Sequence, residues 1–465
     1  MMRLAPTCAA LALLAVAPAA APLVAQSVRV HSTTTARYVQ LRPILYDADS
    51  AAYLPQEVEA AAPITQDIEV NAWGVGVDGL RAYGLLRFRG SLGSDLVWPR
   101  YGDHFDALAA YLEYEHSSYR LRLGRQQKAS ALGWYGYDGL SASIRPLSRV
   151  RLEAYGGRGL ARGYLEPVNS RALAALDPFA PSEGTYLLGT SLFFAPTAGS
   201  TFTAIYQREV LTDESGLVSE RVALDGSTSL GSALQLSASS EFDLARDEWG
   251  KARAAANLHL GRVLMVSGEA FRYVPTLDLT TIWGVFGPES HWGYGGGLEF
   301  APWRAVALWG RYTERRYESD ASSLFGADLP DRSQEVTAGM RLRVGTVQLD
   351  GSYNLNLEYG GEQTGGDGSL SFSPASGWRV GLRGTGFQRD GEFRVSDGTV
   401  YGAGFEVRGR VFSLFDVRAD VMRFRQRKQE RVPATLTGLD WNQTRASIAV
   451  DWTFGANADR SGGSR

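Results

Sequence analysis

The stretch "VQLDGSYNLNLEY" (347–359) decides the reading of this chain. Val347, Leu349, Gly351, Tyr353, Leu355, Leu357 and Tyr359 share one parity, while Gln348, Asp350, Ser352, Asn354, Asn356 and Glu358 share the other. Successive side chains of a strand point to opposite faces, so this is a strand with one oily and one wet face. The same period recurs in "LQLSASSEFDL" (234–244), "WRVGLRGTG" (378–386), "VTAGMRLRV" (336–344), "YRLRLGRQ" (119–126), "RVRLEAY" (149–155) and "SIAVDWTF" (447–454). Helical spacing fits none of them. Only "NSRALAALDPF" (169–179) looks helical, and it falls inside a loop.

Working outward, the connections between such segments alternate between tight and long. Tight ones fall near Asp78-Gly79, His116–Ser118, Pro146–Arg149, Pro196–Ser200, Gly261-Arg262, Gly345-Thr346 and Gly409-Arg410. Long ones lie between, among them 43–65, 92–104, 129–135, 159–183, 275–291, 318–332, 360–367 and 429–439. "IRP" (144–146), "FAP" (194–196), "FAP" (300–302) and "FSP" (372–374) repeat one local pattern, in which a proline ends the ladder for want of an N–H. The spacing predicts an even number of strands between 16 and 22, about 22 by direct count. No fixed repeat period suggests propeller blades, and no pairing of oily faces suggests a sandwich.

Composition narrows the class. The 465 residues include 53 Gly and 11% aromatics but only 18 Pro, which suits many strands joined by turns. A net charge of −3 argues against a nucleic-acid partner, whose binder carries a basic excess. Residues 1–25 read as a secretory signal: Arg3, then apolar "LALLAVA" (11–17), then a small-residue exit with a cut after Ala25. Cys8, the single cysteine, leaves with it, so neither a disulfide nor a Cys-based metal site is expected. No later run of 18 apolar residues supports a membrane helix, but a barrel strand needs only about 9–11 alternating residues.

These features together resemble Gram-negative outer-membrane β-barrels. The closing "SIAVDWTF" resembles the C-terminal signal read by the barrel-insertion machinery, with Trp452 and Phe454 as its aromatics; in that family the Phe commonly ends the chain, whereas here "GANADRSGGSR" follows. "LRLGRQ" (121–126) followed by "YDGLSASIRP" (137–146) resembles a stretch of porin-like and alginate-export-type barrels. The resemblance implies an all-β fold: a single transmembrane antiparallel up-and-down barrel over 26–454, with a disordered tail at 455–465. It also implies residence in the outer membrane, with its lipid and lipopolysaccharide as partners.

The inward faces then become the functional surface. Parity assigns Arg120, Arg122, Arg149 and Arg151 to the lumen early in the chain, Asp225, Glu241, Asp243 and Glu269 in the middle, and Arg341, Arg343, Arg379 and Arg383 late. If strand order maps onto angle, acidic and basic sectors face one another and orient dipolar solutes; the plainer reading is a solvated wall stiffened by charge pairs. Loop 159–184 either folds inward as a constriction or packs on neighbouring loops. Arg423, Arg425 and Arg427 continue the outward parity of Val417, Ala419 and Val421, where arginine forks suit lipopolysaccharide phosphates; a solvated charge run is the alternative.

The expected function is passive diffusion of small polar or anionic solutes. A polysaccharide-export barrel and a surface scaffold or adhesin are the alternatives. No His-Glu-x-x-His, Gly-x-Ser-x-Gly or phosphate-cradling loop supports an enzyme, and no metal or cofactor is expected. An energised receptor would need a plug domain of well over about 100 residues, for which the segment before the early strands leaves no room. An apolar belt serves lipid and subunit contact alike, so oligomeric state stays open.

Overall fold

The computed structural model describes residues 27–41, 44–47, 52–55, 57–93, 104–161, 184–212, 216–274, 290–318, 331–358, 361–390, 397–412, 414–428 and 440–455. The expected signal at 1–25, the tail beyond 455 and nearly all of the loop at 159–184 lie outside them.

The chain opens with β1 (Ser27–Leu41), a small separate hairpin of β2 (Ile44–Asp47) and β3 (Ala52–Pro55), then β4 (Glu59–Trp73), β5 (Leu80–Gly93), β6 (Phe105–Glu115), β7 (Tyr119–Ser130) and β8 (Gly133–Leu147). There follow β9 (Val150–Ala161), β10 (Thr185–Thr197), β11 (Ser200–Leu211), β12 (Leu217–Leu230), β13 (Leu234–Asp243), β14 (Glu248–Leu260), β15 (Leu264–Tyr273) and β16 (His291–Trp303). The wall is completed by β17 (Val306–Tyr317), β18 (Arg332–Val344), β19 (Val347–Glu358), β20 (Gly361–Phe372), β21 (Arg379–Asp390), β22 (Gly398–Val411), β23 (Phe415–Lys428) and β24 (Trp441–Gly455). All but β2 and β3 form one 22-stranded sheet. Each strand pairs antiparallel with its chain neighbour, β1 taking β4 on one side. On its other side β1 pairs with β24, from Arg29↔Gly455 to Val39↔Arg445.

That last ladder closes the cylinder, so the wall has no edge. Closure is the only way a sheet satisfies its backbone groups in lipid. Strands of 10 to 15 residues, at about 3.3 Å per residue and tilted near 40°, span roughly 25–38 Å, enough to cross an apolar band about 25 Å tall. The outward positions supply that band. Leu123, Leu140, Leu188, Leu224, Leu298, Leu382, Val421 and Ile448 are exposed across its middle. Aromatics ring both ends: Phe194, Phe300, Trp303, Phe372 and Phe454 toward the tight turns, and Tyr186, Trp249, Trp292, Tyr294 and Tyr401 toward the long connections.

Three expectations about connections are corrected. The stretch 129–135 is a hairpin tip, since β7 runs to Ser130 and β8 starts at Gly133. The glycine-rich 360–367 belongs mostly to β20, whose backbone pairs with β19 from Gly361 onward. The turn placed at Gly409-Arg410 falls past Val411. The proline pattern also acts differently. Pro146, Pro196 and Pro302 stay within β8, β10 and β16, where the register shifts between Ile144 and Leu147, Phe194 and Thr197, and Phe300 and Trp303. A missing N–H is absorbed there by a bulge instead of ending the strand.

Candidate functional site

With about 22 strands spaced near 4.8 Å and tilted near 40°, the backbone cylinder is roughly 40 Å across. Wall side chains cannot fill such a lumen, so the inner face is the candidate site. Its residues follow from the register. Arg120 and Arg122 point inward from β7 and meet Glu115 and Glu113 directly opposite on β6; Arg120 Nη2 donates to Glu115 Oε1 at 2.9 Å, and Arg122 Nε to Glu113 Oε2 at 2.5 Å. Arg151 lies over the Phe193 ring at 5.2 Å, on the neighbouring strand. Glu241 accepts from Arg221 Nη1 at 2.8 Å and stands 3.3 Å from Lys251 Nζ. Asp243 caps the β13–β14 hairpin, accepting from the backbone N–H of Ala245 and Arg246. Glu269 binds both Arg253 and Arg311. Arg341 donates to Asp350 at 2.7 Å, Arg343 to Gln348 at 2.9 Å, and Arg383 stands 3.7 Å from Glu406. Asp225 and Arg379 are also on inward positions, opposite Ser239 and Arg408.

Two features differ from the sequence reading. Arg149 is not in the lumen wall: it sits in the β8–β9 turn, where its Nη1 donates to the Pro196 carbonyl at 2.6 Å. Parity was carried one residue beyond the strand that defines it. The separate acidic and basic sectors also dissolve. Counter-charges that the sequence list left out, Glu113, Arg221, Lys251, Arg253, Arg311, Asp350 and Glu406, sit beside the named residues. A pair at hydrogen-bond distance cancels most of its own far field, so no sector-wide transverse field follows.

One side of the wall is a packed layer. Tyr135, Tyr137 and Tyr155 lie with Leu132 over Leu187, Ile205 and Ala223, all buried. Tyr137 and Ser141 hydroxyls donate to Gln126 Oε1, and Tyr155 donates to Gln207 Oε1 at 2.9 Å. Lys128 pairs with Glu153 at 2.7 Å and covers the Tyr155 ring. These residues are absent from the lumen set that parity assigns. Their signal was available, because Tyr135, Tyr137 and Ser141 share the parity opposite to outward Leu140 and Ile144.

Inward aromatics are kept flat by glycines directly opposite them. Tyr155 lies across Gly189, Phe271 across Gly293, Trp309 across Gly339, Phe387 across Gly365 and Phe424 across Gly402. A Cβ on any of these glycines would run into the ring or its stem. The glycines therefore let large rings lie along the wall.

The residues behind the alginate-export resemblance clamp two strands. Arg125 Nε and Nη2 donate to the two Asp138 oxygens at 2.8 and 2.9 Å, a bidentate bridge on outward positions of β7 and β8. Gln126 Nε2 donates to the Gly139 carbonyl at 3.0 Å. Outward on β23, Arg423, Arg425 and Arg427 are exposed opposite Ala403, Tyr401 and Thr399, one step above Val421 and Phe405. None has a carboxylate partner among the described residues. Trp452 and Phe454 sit outward at the closing seam, opposite Ser32 and Val30. No cluster of potential metal ligands occurs among the described residues.

A closed, edge-free antiparallel barrel with an apolar outer belt and a charged inner wall is the fold of bacterial outer-membrane β-barrels. Solved structures of that class share it. The siderophore receptor PirA from Acinetobacter baumannii matches at 8% identity over 91% of this chain and 80% of its own, with a TM-score of 0.54. A mutant of the ferric enterobactin receptor PfeA from Pseudomonas aeruginosa matches at 9% identity over the same shares, with a TM-score of 0.53. OccAB2 from Acinetobacter baumannii aligns over 92% of this chain and 98% of its own at 11% identity, with a TM-score of 0.42. No protein-family model matches the sequence. No curated protein matches it either.

Proposed function

We propose that this protein is an outer-membrane channel for the passive diffusion of small polar and anionic solutes. One observation carries the reading: the inner wall is lined by arginines that stay open to solvent. Arg253, Arg311, Arg341, Arg410 and Arg418 each keep more than half of the side chain accessible although each is ion-paired. A lumen inside a backbone cylinder roughly 40 Å across, walled by solvated charge, has room for water and offers polar solutes a path. Arg125 and Asp138 hold strands together, so the resemblance they carry speaks for the wall and not for an exported polymer. The test is single-channel recording of the refolded protein in a planar bilayer. Large, steady steps support the channel; a folded, heat-modifiable barrel that stays silent refutes it.

Two partner readings accompany this function. Arg423, Arg425 and Arg427, outward at the upper aromatic ring and without a carboxylate partner among the described residues, suit the phosphates of lipopolysaccharide. The seam strand β24, with Trp452 and Phe454 on its lipid face, suits recognition by the barrel-insertion machinery after export through the cleaved signal.

A further inference from the structure

We infer that the lumen wall near the tight-turn end carries a binding station for solutes bearing a multi-oxygen anion, formed by Arg379, Arg408 and Arg418. The station names the solute class of the proposed channel and rests on that reading. The register sets Arg379 of β21 directly opposite Arg408 of β22, and Arg408 directly opposite Arg418 of β23. Adjacent strands are about 4.8 Å apart, so three guanidinium stems project side by side into the lumen. Like charges directly opposite one another destabilise a sheet.

Several other cations of the inner wall face a carboxylate instead. Arg122 faces Glu113, Arg120 faces Glu115, Arg341 faces Asp350, Lys251 faces Glu241 and Arg410 faces Asp416. The carboxylates around the arginine row are engaged with other groups. Glu406 pairs with Arg383, Asp416 with Arg410, and Asp420 accepts from the Ser447 hydroxyl. Asp451 takes Arg418 at 3.0 Å and the Thr33 hydroxyl. Arg379 and Arg408 are exposed and have no ion pair among the described residues. Arg379 and Arg408, two repelling guanidiniums with no ion pair of their own among the described residues, are completed by an anion from the lumen, beside an Arg418 already held by Asp451. Forked donors on adjacent strands suit phosphate or carboxylate oxygens, which accept two such forks at once.

The test is calorimetric titration of the detergent-folded protein with inorganic phosphate at low ionic strength, beside reversal potentials in a salt gradient. Arg379→Gln and Arg408→Gln should each weaken phosphate binding by about tenfold or more, the loss of a charge-assisted hydrogen bond. Arg208→Gln removes the same charge from the outer face, where Arg208 lies 3.8 Å from Glu220, and should leave binding within about twofold. Arg408→Lys, which keeps the charge and loses the fork, guards against a fold defect and should fall between. Equal affinities for the wild type and the Arg379 and Arg408 variants overturn the station. A folded but silent barrel whose phosphate binding needs Arg379 and Arg408 keeps the station and discards the channel. A conducting barrel indifferent to both substitutions does the reverse.

Discussion

Glu241→Gln should cost the barrel far more stability than its exposed counterpart Asp416→Asn, and the structure sets both magnitudes. Glu241 is 2% exposed and Arg221, 2.8 Å away, is 8% exposed. Gln keeps the shape but removes the negative charge, leaving the Arg221 guanidinium in a dry wall beside the Tyr135 hydroxyl. Breaking a buried pair from one side costs about 3–5 kcal/mol. Lys251, also ion-paired with Glu241 and 42% exposed, is rescued by lumen water, so the lower end, about 3 kcal/mol, is expected. Asp416 and Arg410 meet at 3.4 Å with roughly half of each side chain in water, and such a pair contributes at most about 1 kcal/mol. Reversible urea unfolding of the vesicle-inserted barrel, followed by tryptophan fluorescence, measures both. If Glu241→Gln costs no more than Asp416→Asn, the inner wall at β12–β14 is wet and the packed layer described above is wrong.

The flattening glycines make a second prediction. Gly339→Leu should push the Trp309 indole off the wall, cutting conductance and destabilising the barrel, and adding Trp309→Leu should recover much of both. On the outer face, replacing Arg423, Arg425 and Arg427 together by Gln should lower thermal stability in lipopolysaccharide-containing vesicles but not in neutral-lipid vesicles. Equal losses in the two would remove the lipid-phosphate reading. Beyond the end of β17, the Ser290 hydroxyl and then Arg272 hold the Glu318 carboxyl below its ordinary range, against an opposing desolvation. A depressed acid contributes stability above the ordinary carboxylate range and loses it as pH falls through the folded value. Hydrogen exchange of the Glu318 amide, which donates to the Ser290 carbonyl, should therefore quicken on acidification, corrected for intrinsic rate, and Glu318→Gln should flatten that dependence.

The strand count and the facing of residues were legible because each barrel strand separates lipid from lumen with strict period two. "VQLDGSYNLNLEY" shows this, with Tyr353 exposed to lipid and Asp350 bonded across the lumen wall. Period two lost its grip where side chains are missing. In 361–367 four of the seven residues are glycine or aspartate, and composition suggested a loop. Cross-strand packing holds that stretch in the sheet, with Gly365 set against Phe387 and Gly366 against the Ser352 carbonyl. Arg149 failed for the opposite reason, since a period continues on paper after the strand has ended.

What no parity argument supplies is the neighbour across the ladder. Arg379 and Arg408 are far apart in sequence, and only the register of two hairpins in succession brings them and Arg418 into one row. The expected charge sectors were built from residues taken strand by strand, and that procedure omits the partner on the next strand. Once the partners are included, most inward charges cancel at contact distance. The field left over comes from places where the pairing rule is broken. Among the described residues of the inner wall the cationic place of this kind is the Arg379–Arg408–Arg418 row, opposite in character to the tyrosine-packed wall of β8–β12. Selectivity then depends on Arg379 and Arg408, which have no ion pair among the described residues, and is insensitive to the total count of lumen arginines.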